Sequence, residues 1–152
     1  MLTVYTCIVS EHDLRLVVLA AIVCALASLT AVNLLHHVGR SEGTKQSIWL
    51  GIAATAIGFG IWATHFIAML AFSPAMPTGY NIALTVLSLL AAVVLTGIGF
   101  GFALLPHLAG ATWLGGGIVG GGIAAMHYTG MAAFEVAGTI AWDPTLVAVS
   151  IL

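Results

Sequence analysis

Charge is scarce in this chain. Of 152 residues, three are Lys or Arg and five are Asp or Glu, 5% in all, against 61% that are hydrophobic. A soluble globular domain carries roughly 25% charged residues, so this composition cannot cover a water-facing surface and the chain reads as an integral membrane protein. Basic residues are too few for a phosphate-binding patch, which argues against nucleic acid as a partner. Cysteine is equally sparse. Cys7 and Cys24 form no CxxC pair, so neither a disulfide framework nor a cysteine-held zinc is supported. The opening residues, MLTVYTCIVSEHD, lack the basic start and short apolar core of a cleaved signal peptide. No Ser-His-Asp set or paired carboxylates suggest hydrolysis, and GGGIVGGG is followed by no Lys-Ser/Thr, which excludes a phosphate loop. The chain is not read as an enzyme.

What is abundant is apolar sequence in long runs. A spanning helix needs about 20 predominantly apolar residues. Four runs meet this, at 14–35, 48–72, 82–105 and 112–134, with Arg15 as the one charge among them. A fifth begins at Thr145 and reaches Leu152; its eight residues are too few to cross. The expectation is an all-α, polytopic transmembrane bundle with four complete crossings and the start of a fifth, forming one domain truncated at its C-terminus. The connections at 36–47, 73–81, 106–111 and 135–144 are short and leave no room for a domain linker. Lys and Arg concentrate in short cytoplasmic loops. Arg40 and Lys45 both fall in 36–47, whereas 73–81 and 135–144 hold neither, so 36–47 is expected to be cytoplasmic. Arg15, at the outer end of the first run, is the exception. The glycine pairs Gly97/Gly101, Gly116/Gly120 and Gly117/Gly121 read as small-residue faces for helix approach. Trp62, Trp113 and Trp142 read as packing or interfacial anchors, and His36, His37 and His107 as interfacial polar groups at the cytoplasmic ends.

The chain also repeats itself. GFGIWATHFIAMLAF at 58–72 and GGGIAAMHYTGMAAF at 120–134 agree at eight of fifteen positions: Gly58/Gly120, Gly60/Gly122, Ile61/Ile123, Ala63/Ala125, His65/His127, Met69/Met131, Ala71/Ala133 and Phe72/Phe134. The register continues through Tyr80/Trp142, Asn81/Asp143, Leu84/Leu146 and Ser88/Ser150. Each unit contains two crossings, so the two units share one orientation. This is a tandem parallel repeat, unlike the inverted repeats of many transporters, and it sets His65 and His127 at one depth near the outer face.

Residues four apart lie on one face of a helix, so His65 points with Met69 and His127 with Met131. If the two helices face each other, two imidazoles and two thioethers converge. Thioether sulfur suits Cu(I), and imidazole suits copper, iron, nickel or zinc. Copper is the first reading, and a haem with axial His or Met ligands is the alternative. Met126 and Met76 are further sulfur donors. Met126 precedes His127 and projects about 100° away around the helix. His12, Tyr128 and Asp143 fall at the same outer level and are candidates to orient the imidazoles. Taken singly, either His/Met pair reads as packing. Repeated at one depth, the pairs favour metal binding, because ionisable groups within a membrane are costly and usually functional. Glu135 and Asp143 otherwise belong to a solvated outer loop.

The stretch Met126-His127-Tyr128-Thr129-Gly130-Met131-Ala132-Ala133 closely resembles the signature of the bacterial MHYT family. Thr64-His65-Phe66-Ile67-Ala68-Met69 resembles its variant motif, with Thr64 where the family has Met. The resemblance covers essentially the whole chain. It implies a membrane sensor domain of six or seven crossings in the bacterial inner membrane, its motif side facing the periplasm. It further implies copper held near the outer face by His65, Met69, Met126, His127 and Met131, detection of a diatomic gas (O2, CO or NO), and fusion to a cytoplasmic output domain. That output domain would be a cyclic-di-GMP turnover domain, a histidine kinase or a DNA-binding regulator. His12 would belong to a degenerate third motif. The competing readings are a metal-handling permease, which the scarcity of polar groups along the second and fourth runs disfavours, a haem protein of electron transfer, and a bundle with no ligand.

Overall fold

The computed structural model describes residues 12–72, 78–105 and 108–136. Among them are four helices, α1 (Leu14–Gly39), α2 (Gly43–Ala71), α3 (Ile82–Ala103) and α4 (Ala111–Ala132). Two three-residue strands, β1 (Thr78–Tyr80) and β2 (Phe134–Val136), pair antiparallel with Tyr80 opposite Phe134. The chain leaving α4 thus meets the chain entering α3 as a small ribbon, at the end of the molecule that carries the histidines. Met76, His107, Trp142, Asp143 and the run from Thr145 lie outside the described residues.

Helix starts follow from capping chemistry. Asp13 precedes α1 and its side chain accepts from the backbone N–H of Arg15 at 2.9 Å. Asn81 does the same for α3 through Leu84 N–H at 3.2 Å. Both satisfy donors that a helix N-terminus leaves unpaired. Gly110 precedes α4 with φ +84°, a left-handed conformation that glycine adopts without penalty. The expected connection 36–47 contracts to residues 40–42, because α1 runs on through His36, His37 and Gly39 and α2 begins at Gly43. Hydropathy marks where lipid ends, not where a helix ends. Beyond the apolar span the backbone still gains its i→i−4 bonds, and imidazoles in the last turn suit the negative end of the helix dipole. His37 also stacks on Trp49, ring centroids 4.9 Å apart.

Three helices, α1, α2 and α3, are long and apolar enough to cross a bilayer. α4 matches α3 in length at 22 residues, but its seven glycines and His127 dilute its apolar character. The side chains on α1 fit an apolar solvent: Leu14, Val18, Ile22, Leu26, Leu29 and Val32 are all half-exposed or more. Contiguous exposed apolar surface on this scale is rare on soluble monomers.

α1 packs chiefly on α2, α4 on α3, and α3 on α2, while α2 and α4 touch only sparingly. Without a hydrophobic driving force inside lipid, such contacts depend on small residues that let backbones meet. The glycines that serve are mostly not those of the expected faces. A Cβ at Gly115 would stand 2.5 Å from the Gly99 carbonyl oxygen, and one at Gly99 would stand 2.7 Å from that of Gly115. Between α2 and α3, a Cβ at Gly58 would stand 2.6 Å from Val93 Cα. Gly116, Gly117, Gly120 and Gly121 have nothing within 4 Å, and of the expected pairs Gly97 alone is tightly met, by Ala54 Cβ at 3.1 Å. The four open glycines share no face with Gly115, which α4 turns to α3. Spacing within a helix reveals a small face, and neighbouring helices decide which face is used.

Gly115→Leu should therefore cost about 2 kcal/mol or more through overpacking, whereas Gly116→Ala, one residue on, should stay within about 0.5 kcal/mol. Reversible unfolding of both variants in detergent micelles checks this. Equal effects would refute the α3–α4 glycine contact.

Candidate functional site

At the strand end of the bundle the chain entering each odd helix is tied to the chain leaving the next. Asp13 N–H donates to the Ala71 carbonyl and Asn81 N–H donates to the Ala133 carbonyl, each at 2.8 Å. His12 forms a bridge with Phe72, as Tyr80 pairs with Phe134, and both ring pairs have centroids 5.4 Å apart. These ties fix the last turns of α2 and α4, where His65 and His127 sit.

The two imidazoles meet. Nδ1 of His65 and Nδ1 of His127 are 3.3 Å apart, with ring centroids at 4.8 Å and planes inclined by 69°. Two Nδ1–H donors cannot share this contact, so at least one ring presents a bare lone pair there. Tyr128 packs edge-on against His127, and Phe66 edge-on against His65. Phe66 in turn contacts Trp62 and Tyr80. Trp62 Nε1 donates to Ser88 Oγ at 3.1 Å, and Ser88 donates to the Thr85 carbonyl at 2.7 Å, which binds α2 to α3 just below the site.

Beside the pair a cleft of about 620 Å³ opens between α2 and α4. Ile61, Thr64 and His65 line one side, and Gly117, Gly120, Gly121, Ile123, Ala124, Met126, His127 and Tyr128 the other. Thr64 spends its hydroxyl proton on the Gly60 carbonyl of its own helix at 2.8 Å. The cleft therefore offers ring nitrogens and the Met126 thioether within apolar walls.

Of the expected site residues, the structure brings together His65, His127, Met126 and Tyr128. Met126 is the most deeply buried of them, 2% exposed. Met69 and Met131 are half-buried one turn further out and are not among the residues lining the cleft. His12 sits at the start of α1 against Phe72. Met76 and Asp143 lie outside the described residues. One residue that sequence reasoning assigned no part to is Gly130, buried, where a Cβ would stand 2.7 Å from His65 Nε2. Its only signal was a glycine inside the motif, three residues after His127.

A metal ion fits this donor set. Two nitrogens each about 2.0 Å from one ion and at a tetrahedral angle stand roughly 3.3 Å apart, the separation observed here. His65 Nε2, on the far edge of the ring, is buried without a hydrogen-bond partner, so Nδ1 is the nitrogen that His65 presents at this contact. Among the described residues no group of three or more His, Cys, Asp or Glu converges, and the cleft adds the Met126 thioether to the ring nitrogens. That favours a soft ion over a hard one.

Residues 58–116 and 120–152 match the MHYT family, described as a bacterial signalling protein N-terminal repeat. The chain belongs to the MHYT family. The two matched segments contain the two histidines, one in each. Among curated proteins, the chain is similar to the bifunctional diguanylate cyclase/cyclic di-GMP phosphodiesterase MucR of Pseudomonas aeruginosa, 44% identical over 95% of this chain and 21% of that protein. It is similar also to the cyclic di-GMP phosphodiesterase NbdA of the same organism, 43% identical over 90% of this chain and 18% of that protein. A signaling protein of Caulobacter vibrioides is 39% identical over 95% of this chain and 18% of its own length. The chain thus spans about a fifth of the length of these relatives, and corresponds to an MHYT domain within them. No solved structure matches it.

Above the pair, burial pushes the Tyr80 phenol above its ordinary value of 10.0. A raised folded value means that folding holds the neutral phenol. This contribution is complete below the ordinary value and is lost as pH climbs through the raised one. An ultraviolet phenolate titration compared with Tyr80→Phe should show the Tyr80 component ionising above free tyrosine, with stability falling over that interval. A component at or below pH 10.0 would contradict this packing.

Proposed function

We propose that this MHYT domain is a membrane-embedded sensor that holds a copper ion between α2 and α4 near the outer face and responds to a diatomic gas. The observation that carries the reading is the 3.3 Å approach of His65 and His127 Nδ1 atoms within an apolar cleft. His65 and His127 are the nitrogen ligands, and Met126 is the nearest sulfur candidate because it lines the same cleft. Met69 and Met131, one turn outward on the same faces as the histidines, are the further sulfur candidates carried by the motif. Copper bound there would supply a coordination position for O2, CO or NO.

The chain's own residues do the rest. Ile61, Ile123 and the glycines of α4 keep the cleft apolar, so a small uncharged gas partitions into it and hydrated ions do not. The close α3–α4 contact makes those helices one body, and the extensive α1–α2 packing makes another. Between the bodies, α2 and α4 meet sparingly, and α2 rests on α3 through Gly58 and the Trp62–Ser88 hydrogen bond. A change in the histidine pair would therefore be felt as a shift of one body against the other, a two-state element biased by ligand. In this reading the tied units (α1–α2 and α3–α4) are two copies of one duplicated, parallel unit, making four crossings. The turn at Arg40 faces the cytoplasm and the strand ribbon faces the periplasm of a bacterial inner membrane. The output is a cyclic-di-GMP turnover domain, by likeness to the named relatives, or else a kinase or regulator, in the part of the protein beyond this chain.

Haem is the weaker alternative. A bis-imidazole haem would need its iron and macrocycle between nitrogens that stand 3.3 Å apart, whereas one ion fits without parting the helices.

Metal analysis of the detergent-purified chain, wild type against His65→Ala/His127→Ala, tests the reading. We expect copper near one per chain in the wild type and a loss of about tenfold or more in the double variant. Equal copper in both would retire the site, and a Soret band in the wild type would replace copper with haem.

A further inference from the structure

The two histidines are not held alike, and the difference lies in the residue each ring rests on. His65 presses the Nε2–Cδ2 edge of its ring onto α4 at Gly130. A Cβ there would stand 2.7 Å from Nε2, 3.1 Å from Cδ2 and 3.5 Å from Phe66 Cε2. Nε2 is buried and has no hydrogen-bond partner. The opposite edge carries Nδ1 toward His127 Nδ1 at 3.3 Å. Sixty-two residues before Gly130 in the repeat stands Ala68, an exposed residue with a side chain. Glycine is therefore required on one motif helix only, the one against which the other helix's imidazole leans.

We propose that Gly130 is a positioning residue: it admits the His65 ring so that Nε2 is sealed against α4 and Nδ1 is the nitrogen presented to the cleft. For the identity of the ligating atom this rests on the metal reading above; the ring orientation rests on the packing alone. Turning the ring over would place carbon opposite His127 Nδ1 and carry Nδ1 to the Gly130 side, losing the nitrogen–nitrogen approach. A neutral imidazole keeps one proton. With Nε2 buried and making no hydrogen bond, the useful arrangement is a proton on Nε2 and a lone pair on Nδ1. That lone pair accepts from His127 Nδ1–H when no ion is bound and is the donor to an ion when one is.

The methyl group added by Gly130→Ala would intrude on Nε2 at a distance that real Cβ atoms do not show, and the neighbour is a ring braced by Phe66. The ring must yield toward His127. Alanine is otherwise the better helix former, so a merely structural role would be read in stability alone, with copper affinity and the His65 ring nitrogens unchanged.

The test uses the chain in detergent micelles, with copper as the probe, and amide mimics of the two nitrogens. His65→Asn places a polar atom near the Nδ1 position, and His65→Gln places one near Nε2. Copper affinity should fall by about tenfold or more in Gly130→Ala, as for other residues that orient a ligand, with the chain still folded and any loss of thermal stability from the crowded ring partly offset by alanine's helix preference. Ala68→Gly should leave affinity unchanged. His65→Asn should retain more copper than His65→Gln, and Gly130→Ala should add no further loss in the His65→Asn background, since the shorter side chain does not reach Gly130. In the metal-free chain, 15N spectra of the imidazoles should show His65 protonated at Nε2, and Gly130→Ala should alter that His65 pattern. Wild-type affinity in Gly130→Ala, a higher affinity in His65→Gln than in His65→Asn, or a His65 bare at Nε2 would overturn the proposal. If the wild type binds no copper, the metal reading fails by itself. The 15N comparison then decides the positioning role, which an unchanged His65 spectrum in Gly130→Ala would end.

Discussion

Nitrogen meets nitrogen between two helices in an apolar interior, and the rest of the site depends on that contact being sustained. Inside lipid there is little hydrophobic gain from bringing helices together, so the approach must be built by shape. Glycines supply it twice over. Gly99 against Gly115 lets α3 and α4 touch backbone to backbone, and Gly58 lets α3 settle on α2 at Val93. α3 thereby holds α2 and α4 at a fixed relation although these two scarcely touch each other directly. The hydrogen bond from Trp62 to Ser88 and the backbone ties at Ala71 and Ala133 close the same frame at the histidine end. The imidazoles come together because the helices that carry them are each fastened to a third.

Much of this was legible in the sequence. The scarcity of charge and the length of the apolar runs give the class, and every helix falls on one of the runs. The 62-residue repeat of His and Met identifies the two residues that meet. What the sequence could not give is the side of each helix that a neighbour would take. The expected small faces at Gly116/Gly120 and Gly117/Gly121 are open, and Gly115 makes the contact instead, because rotation about a helix axis is set by partners and not by spacing along one strand of sequence. The limits of α1 and α2 were missed for a related reason. His36 to Gly39 and Gly43 to Ser47 are polar enough to leave lipid yet still helical. The thioethers show the limit most plainly. Helical periodicity puts Met69 and Met131 with the histidines, while the structure lines the cleft with Met126, a residue about 100° away by the same periodicity. Which face a helix turns to its neighbour at a given depth is decided by the pair, and a single-helix argument cannot see this.

The repeat also predicts more symmetry than the site has. Met126 stands where the first copy has Thr64, and Gly130 where it has Ala68. Met126 is buried in the cleft, whereas Thr64 turns its hydroxyl to its own helix. Gly130 receives the ring from α2, whereas Ala68 faces outward. A duplicated unit that kept its symmetry would place two equal imidazoles across an axis with equal claims on any ion. The substitutions break that equality in one direction: α4 carries the buried Met126 and the glycine cradle, and α2 carries the ring that lies in it.

This division of labour bears on how a local change could travel. A ligand interacting only with residues of one rigid body cannot shift that body against another, however tightly it binds, because differential affinity for two arrangements is required. In the proposed copper reading the donors are split between bodies. His65 rides with α1 and α2, while His127 and Met126 ride with α3 and α4. Any ion or ligand that prefers one nitrogen separation over another therefore acts directly across the sparse α2–α4 seam. The seam is also where packing resists least, since the open glycines of α4 leave space beside it. Motion across this seam must pivot on the α2–α3 contact at Gly58 and Val93, which would carry a change at the histidine pair toward the short turn 40–42 between α1 and α2.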